Sequence, residues 1–329
     1  MWSKRLFTLL LFVFAVLFIA ALPQLIDMLI FGSSHDAILG QSTGKISPSQ
    51  AFASMFSKIA NYIGGIPSGK SFTYQAYLYY NSNSHEQVTE TRNFFTDTRS
   101  FMVFSAVNMV STSLLALLSG TFLGLFLARS GILIRTLLEF MAIIPDFAAA
   151  ISLQLLVVFI FQQTGWLVAE VNTTVFGTAY LLPFLTLCYL PFTYMMRMVA
   201  LQGYKVLTED YILTAKSKGL KKWTIYARHV LRNVLPVIKA DLFRIASIMT
   251  GNLIVIEYLF NSPGITRFLI PSLDRNLELK TALVYQKPNL FYQYPVMVNS
   301  LWSLILIFFI TYGSMRLAMF GLERGFAND

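Results

Sequence analysis

The sequence predicts an all-α polytopic membrane protein with six spans. Three observations carry this: a composition that cannot stay in water, six apolar runs long enough to cross a bilayer, and an uneven distribution of Lys and Arg over the loops. Of the 329 residues, 56% are hydrophobic and 12% are charged, with a mean hydropathy of +0.61, far from the balance of a soluble domain. A helical span needs about 20 apolar residues. Runs near 6–31, 101–128, 136–162, 175–197, 241–260 and 296–316 supply them.

The first run follows Lys4 and Arg5 and holds Ala20 and Ala21, as a cleaved leader would. It continues past Pro23 to Phe31, so we expect it to be retained as the first span. With an inside amino terminus, sixteen of the 25 Lys and Arg fall in or beside the cytoplasm, ten of them between Arg197 and Arg244, while the short loop 163–174 has none. By the positive-inside rule both termini are then expected in the cytoplasm. The net charge of +9 is thus a consequence of topology. It suits contact with anionic lipid and offers no nucleic-acid recognition module. Cys188 lies within a span, and His35, His85 and His229 are far apart, so neither a disulfide nor a metal site is expected.

Two regions lie outside this apolar pattern, near 32–100 and 261–295, and both are expected on the outer side. The first is rich in Ser, Gly, Asn and Thr and reads as a partly ordered cap. Within it Gly64, Gly69, Lys70 and Ser71 satisfy the pattern G-x-x-x-x-G-K-S. A phosphate loop joins a buried strand to a helix; here no apolar strand precedes the motif and Pro67 interrupts it. We therefore expect no nucleotide site there.

The most informative stretch is 209–236, EDYILTAKSKGLKKWTIYARHVLRNVLP, a basic amphipathic segment between two apolar runs. Thr208 can cap a short helix with Glu209 and Asp210 in its first turn and Lys216 and Lys218 before Gly219. A second helix is predicted from Leu220 to Pro236. Leu220, Trp223, Ala227, Val230, Leu231 and Val234 share one face, and Lys221, Arg228 and Arg232 another.

TAKSKG followed by RHVLRN resembles the cytoplasmic signature loop of binding-protein-dependent ABC importer permeases, specifically the oligopeptide/dipeptide permease family. LLPFLTL, MMRMVAL and LTEDYI before it, and IEYLFNSPGI after it, extend the resemblance from about Pro183 to Gly264; the last resembles the family's E-x-x-F-x-x-P-G stretch. The proline-glycine-aspartate-proline expected after the first span is missing. The resemblance implies the type I ABC importer transmembrane fold as one domain over 1–329: a first span (1–31), an extracytoplasmic loop (32–100) and a five-helix core (101–329) with a coupling segment (205–236). It implies a transport subunit of a prokaryotic plasma (inner) membrane that moves peptides or similar small solutes by alternating access and is not itself an enzyme. The implied partners are a second homologous permease, two cytoplasmic P-loop ATPases holding ATP and Mg, and an extracytoplasmic solute-binding protein. A nickel or metal-chelate importer is the alternative within the class. An ion-coupled secondary transporter would leave 209–236 without a role.

By the same resemblance, Ala215 and Gly219 permit close backbone approach at the bend, within an ATPase contact built from Thr214, Lys216, Lys218, Leu220, Lys221, Trp223 and Tyr226. Arg228, His229, Arg232 and Asn233 anchor the second helix to the chain's own helix ends. Membrane-embedded acids default to functional suspicion, which singles out Asp146 and Glu257. Asp146 is placed about 15 Å into the third span, either lining the path or paired with Arg197 or Arg244. Glu257 is either on the path or bonded to the turn 261–264.

Overall fold

The computed structural model of the chain describes residues 2–31, 47–81, 86–174, 177–269 and 292–327. Residues 32–46 of the first predicted outer loop, and most of the second, 270–291, lie outside the described residues. Among the described residues, six helices are long and apolar enough to span a membrane: Lys4–Ile26, Phe94–Leu127, Asp146–Thr164, Leu181–Leu207, Lys222–Leu259 and Tyr294–Gly325. In chain order the elements are α1 (Trp2–Phe31), α2 (Pro48–Gly65), β1 (Thr73–Asn81), β2 (Glu86–Asn93) and α3 (Phe94–Leu127), followed by α4 (Ile132–Ile143), α5 (Asp146–Thr164), α6 (Leu181–Leu207), α7 (Asp210–Ser217), α8 (Lys222–Leu259) and α9 (Tyr294–Ala327).

Two predicted boundaries are corrected. The run 136–162 is broken at Ile144 and Pro145 into α4 and α5, because a proline ring fits the first turn of a new helix but not the interior of a continuing one. The run 241–260 is only the last part of α8, which begins at Lys222 and passes straight through Pro236.

The chain divides into two compact units. The first comprises Met1–Phe101 with Ile265–Ile305. Its core joins Leu17, Ala20, Ala21, Leu25 and Met28 of α1 to Ala51, Met55, Ile59 and Tyr62 of α2 and to Tyr294, Met297 and Val298 of α9. Pro23 lies inside α1 and disturbs its backbone ladder. Just before it, Tyr292 and Tyr294 donate to the carbonyls of Ala20 (2.7 Å) and Leu17 (3.0 Å). The predicted cap is more ordered than its composition suggested. α2 begins with a capping box between Ser47 and Gln50, and β1 and β2 pair antiparallel with a bulge between Tyr77 and Tyr79. The side-chain amide of Gln293 takes the place of a further strand: its Oε1 accepts from the Gln75 amide at 2.8 Å and its Nε2 donates to the Gln75 carbonyl at 2.7 Å.

The second unit comprises Met102–Gly264 with Leu306–Asp329. Its tightest helix contact is built on absent side chains. A Cβ on Gly120 would stand 2.7 Å from Met195 Cβ, and one on Gly124 would stand 2.7 Å from the Met196 carbonyl and from Val199 Cβ. Gly203 faces Ala128 in the same way. The spacing Gly120, Gly124, Ala128 is the small-xxx-small pattern by which membrane helices approach closely, here joining α3 to α6. On α8, Ile238, Leu242, Ile245, Met249, Leu253 and Ile256 form a buried stripe at helical spacing. Lys239 Nζ pairs with Glu323 at 2.9 Å.

Past the end of α8 the chain turns sharply, and Glu257 holds the turn. Its side chain is 4% exposed and accepts from Ser105 Oγ of α3 at 2.5 Å; its carbonyl accepts from the Ser262 amide at 2.9 Å. A Cβ on Gly264 would overlap the carboxylate, so only glycine fits there. Asn261, at φ 47°, turns the chain and donates to the Thr173 carbonyl at 3.2 Å, while the Thr173 amide donates to Phe260 at 3.0 Å. Glu257, Phe260, Pro263 and Gly264 are thus one structural device.

Two outcomes follow for the purified protein in detergent. Gly124→Leu forces α3 and α6 apart and costs about 1–3 kcal/mol, read as a lowered thermal midpoint; Gly313→Leu, with open space around its Cα, leaves that midpoint nearly unchanged. Gly264→Ala is destabilising on the same scale, and the double variant Glu257→Ala/Gly264→Ala loses less than the sum of the two single variants, because removing the carboxylate makes room for the methyl. Additive losses would contradict the contact.

Candidate functional site

The segment between α6 and the apolar part of α8 is a helix, a tight turn and the start of a second helix. α7 ends on Lys218, and Gly219 takes φ +77°. The Gly219 amide donates to the Lys216 carbonyl at 2.9 Å and the Leu220 amide to Ala215 at 3.3 Å. This pair of bonds is the Schellman stop, whose left-handed residue favours glycine. Glu209, not Thr208, occupies the N-cap of α7; the Thr208 hydroxyl donates back to Lys205 at the end of α6. α8 starts at Lys222, two residues later than predicted, because Lys221 is still extended. It runs through π-helical turns at Ile225–Leu231, a form found often at functional positions.

Within this segment the residues separate by burial. Ile212 and Ala215 of α7 and Ile225, Val230, Leu231 and Val234 of α8 are buried in the chain's own packing. Ala215, expected to permit close backbone approach at the bend, faces inward. Leu220 and Trp223, which share a helical period with the buried Val230, Leu231 and Val234, point away from that packing, Trp223 being 71% exposed. Leu213 and Tyr211 are exposed beside them, as are Thr214, Lys216, Lys218, Gly219 and Lys221, with Tyr226 half-buried. The outer surface is a mixture of lysines and large apolar side chains.

Two of the four expected anchors tie α7 to α8. Asn233 Nδ2 donates to the Tyr211 hydroxyl at 3.0 Å and to the His229 carbonyl at 2.8 Å, and the rings of Tyr211 and His229 lie 6.4 Å apart. Burial, with Glu209 nearby, raises the Tyr211 pKa, which keeps the phenol neutral at physiological pH. Arg228 and Arg232 do not serve as anchors: both are exposed and make no ion pair among the described residues. The outer surface gains two cations from them.

Of the two acids, Asp146 is placed differently from expectation, while Glu257 takes the structural alternative at the turn 261–264. Asp146 is the first residue of α5, a position where the helix dipole favours a carboxylate. It pairs with neither Arg197 nor Arg244, and its Oδ2 is buried without a hydrogen-bond partner. Glu257 is spent on the turn after α8. The phosphate-loop pattern is occupied structurally: it follows a helix, Ser71 Oγ donates to the Tyr62 carbonyl at 2.5 Å, and the Ser71 carbonyl accepts from Asn299 at 2.9 Å.

Comparison with known proteins agrees with this geometry. The chain matches the family described as binding-protein-dependent transport system inner membrane component over residues 116–325, which includes α4 to α8 and the turn at Glu257. It is similar to the dipeptide transport system permease protein DppB of Bacillus subtilis (strain 168), 40% identical over 95 residues, 29% of this chain and 30% of that protein. It is similar to DppB of Escherichia coli (strain K12), 36% identical over 96 residues, 29% of this chain and 28% of that protein. A putative peptide transport system permease protein of Brucella abortus (strain 2308) is 31% identical over 112 residues, 34% of this chain and 36% of that protein. The matched portion spans about a third of the length of each of these relatives. With six membrane-spanning helices and a family match over 116–325, the chain belongs to the inner-membrane components of binding-protein-dependent transport systems.

Proposed function

We propose that this chain is a transmembrane permease subunit of an ATP-driven importer that carries peptides or similar small solutes into the cytoplasm by alternating access. The observation that carries the proposal is the surface around Gly219. An exposed Trp223 and Leu213 among Lys216, Lys218 and Lys221 is poorly suited to water alone, and the Schellman stop fixes its shape. Such a surface suits a groove on a cytoplasmic ATPase, apolar side chains seated and lysines at the rim. The relatives named as peptide permeases support the substrate class.

In this reading 209–236 and both termini face the cytoplasm, and the complex holds a second homologous permease, two ATPases that bind ATP and Mg, and an outer solute-binding protein. The chain acts throughout as one functional transmembrane domain. Closure of the ATPases pushes on α7 and the Gly219 turn. The Tyr211–Asn233 contact passes the push to α8, whose far end is fixed by Glu257. Asp146, with its unsatisfied Oδ2, is the acid we assign to meet the amino group of a peptide in transit.

Gly219→Val imposes a β-branched side chain on a positive φ and costs about 1–2 kcal/mol locally. The variant inserts and assembles but loses coupling, while Gly219→Asn, which tolerates that φ, retains it. Substrate-stimulated ATPase activity and uptake in proteoliposomes provide the check, and normal values for Gly219→Val would remove the docking role. Asp146→Asn keeps the side-chain volume and lowers uptake of free-amino peptides more than of amino-blocked ones. An equal loss for both, tracking protein level, would make Asp146 a structural residue.

A further inference from the structure

Opposite the buried stripe of α8 runs a second stripe at helical spacing, Ala240, Arg244, Ser247, Gly251, Val255 and Tyr258, exposed along its length. Its middle is small and polar. The exposed residues of α3 include Val103, Val107, Phe122 and Phe126, and those of the second-unit part of α9 include Leu306, Phe309, Ile310 and Leu317, as lipid contact requires. Acyl chains penalise a guanidinium and gain little from Ser or Gly, so the α8 stripe has the chemistry of a water-lined face.

Arg244 stands on that stripe about 22 Å along the helix from Leu259, and about 7 Å past Lys239 toward it. Its guanidinium lies 5.5 Å from the ring centroid of Tyr194 on α6. The Tyr194 hydroxyl donates to Asp241 Oδ2 at 2.6 Å, so the one carboxylate within a turn of Arg244 is already engaged. Arg197, a turn beyond Tyr194 on α6, is exposed. Neither arginine makes an ion pair among the described residues. Two guanidinium groups therefore flank a phenol–carboxylate platform and carry one net positive charge, with donors in the forked geometry that matches a carboxylate.

We propose that Arg197 and Arg244, mounted on the Tyr194–Asp241 platform, form an anion site in the translocation path that receives the carboxylate of the transported solute. The proposal rests on the importer reading and adds a substrate chemistry to it: solutes with a free carboxylate are guided through this face. A lipid phosphate would satisfy the same donors, but the small polar stripe around Arg244 favours the path.

The test uses the whole complex, isolated through this chain and placed in nanodiscs. Ser247→Cys puts a thiol about one turn from Arg244, and the parent chain, whose only cysteine, Cys188, is buried, gives the blank. Labelling of this chain is followed by mass with anionic sulfonatoethyl and cationic trimethylammonioethyl methanethiosulfonate. With each rate normalised to that reagent's reaction with free cysteine, the anionic reagent should be favoured about tenfold, as one favourable charge contact at this range predicts. Arg244→Gln in the same background should remove most of that preference. Alanyl-alanine should slow labelling while its carboxyl-terminal amide does not, and Leu306→Cys should stay unlabelled. Ser247→Cys that stays unlabelled, reacts without charge preference, or is protected equally by the peptide and its amide would overturn the proposal. So would a preference that follows the anionic phospholipid content of the disc. Failure of the importer reading shows separately, as a complex that carries no ATPase subunit.

Discussion

The second unit depends on the continuity of α8. Thirty-eight residues, Lys222–Leu259, form one rod about 57 Å long, with the Gly219 turn at one end and the Glu257 turn at the other. Each end is held by a different contact: Tyr211 and His229 meet Asn233 at the first, and Ser105, Thr173 and Gly264 enclose Glu257 and its turn at the second. A displacement at Trp223 cannot be absorbed locally without stretching a hydrogen-bonded helix. It appears as movement of the rod as long as the π-helical turns of Ile225–Leu231 do not bend.

This continuity explains the two faces of the helix. The stripe from Ile238 to Ile256 is locked into the core, and close packing there resists sliding. The opposite stripe is left to face what the chain alone does not supply. Asp241 sits where the faces meet and holds Tyr194 of α6, with Arg244 beside it on the open stripe, so a movement of α8 relative to α6 alters the spacing of the two guanidinium groups. In the proposed importer, docking and pathway are thereby linked through one element.

Much of this was legible in the sequence. The membrane class, the six spans and the Gly219 stop follow from composition, period and spacing, and the E-x-x-F-x-x-P-G stretch from the family resemblance. What escaped did so for physical reasons. Pro236 reads locally as a helix end, but a helix that enters a packed core keeps its remaining hydrogen bonds and tolerates one missing donor. Pro145 sits in an unbroken apolar run, so hydropathy alone cannot reveal the break before Asp146. Trp223 fits the apolar period of its helix, yet periodicity does not say whether a face is covered by the same chain. The spacing Gly120, Gly124, Ala128 was present as a signal, and the close approach of α3 to α6 gives it meaning. The strand-like role of Gln293 depends on contacts between distant parts of the chain, which no local pattern encodes.

The most direct test of the rod is a distance within α8 across the nucleotide cycle. Spin labels at Trp223 and Tyr258 in the assembled complex should stay about 52 Å apart, with an equally narrow distribution, in nucleotide-free and ATP-trapped states. A distance that shortens or broadens on trapping would show that α8 bends at its π-helical turns, and would contradict an account in which one rigid helix carries the movement from the docking surface into the membrane.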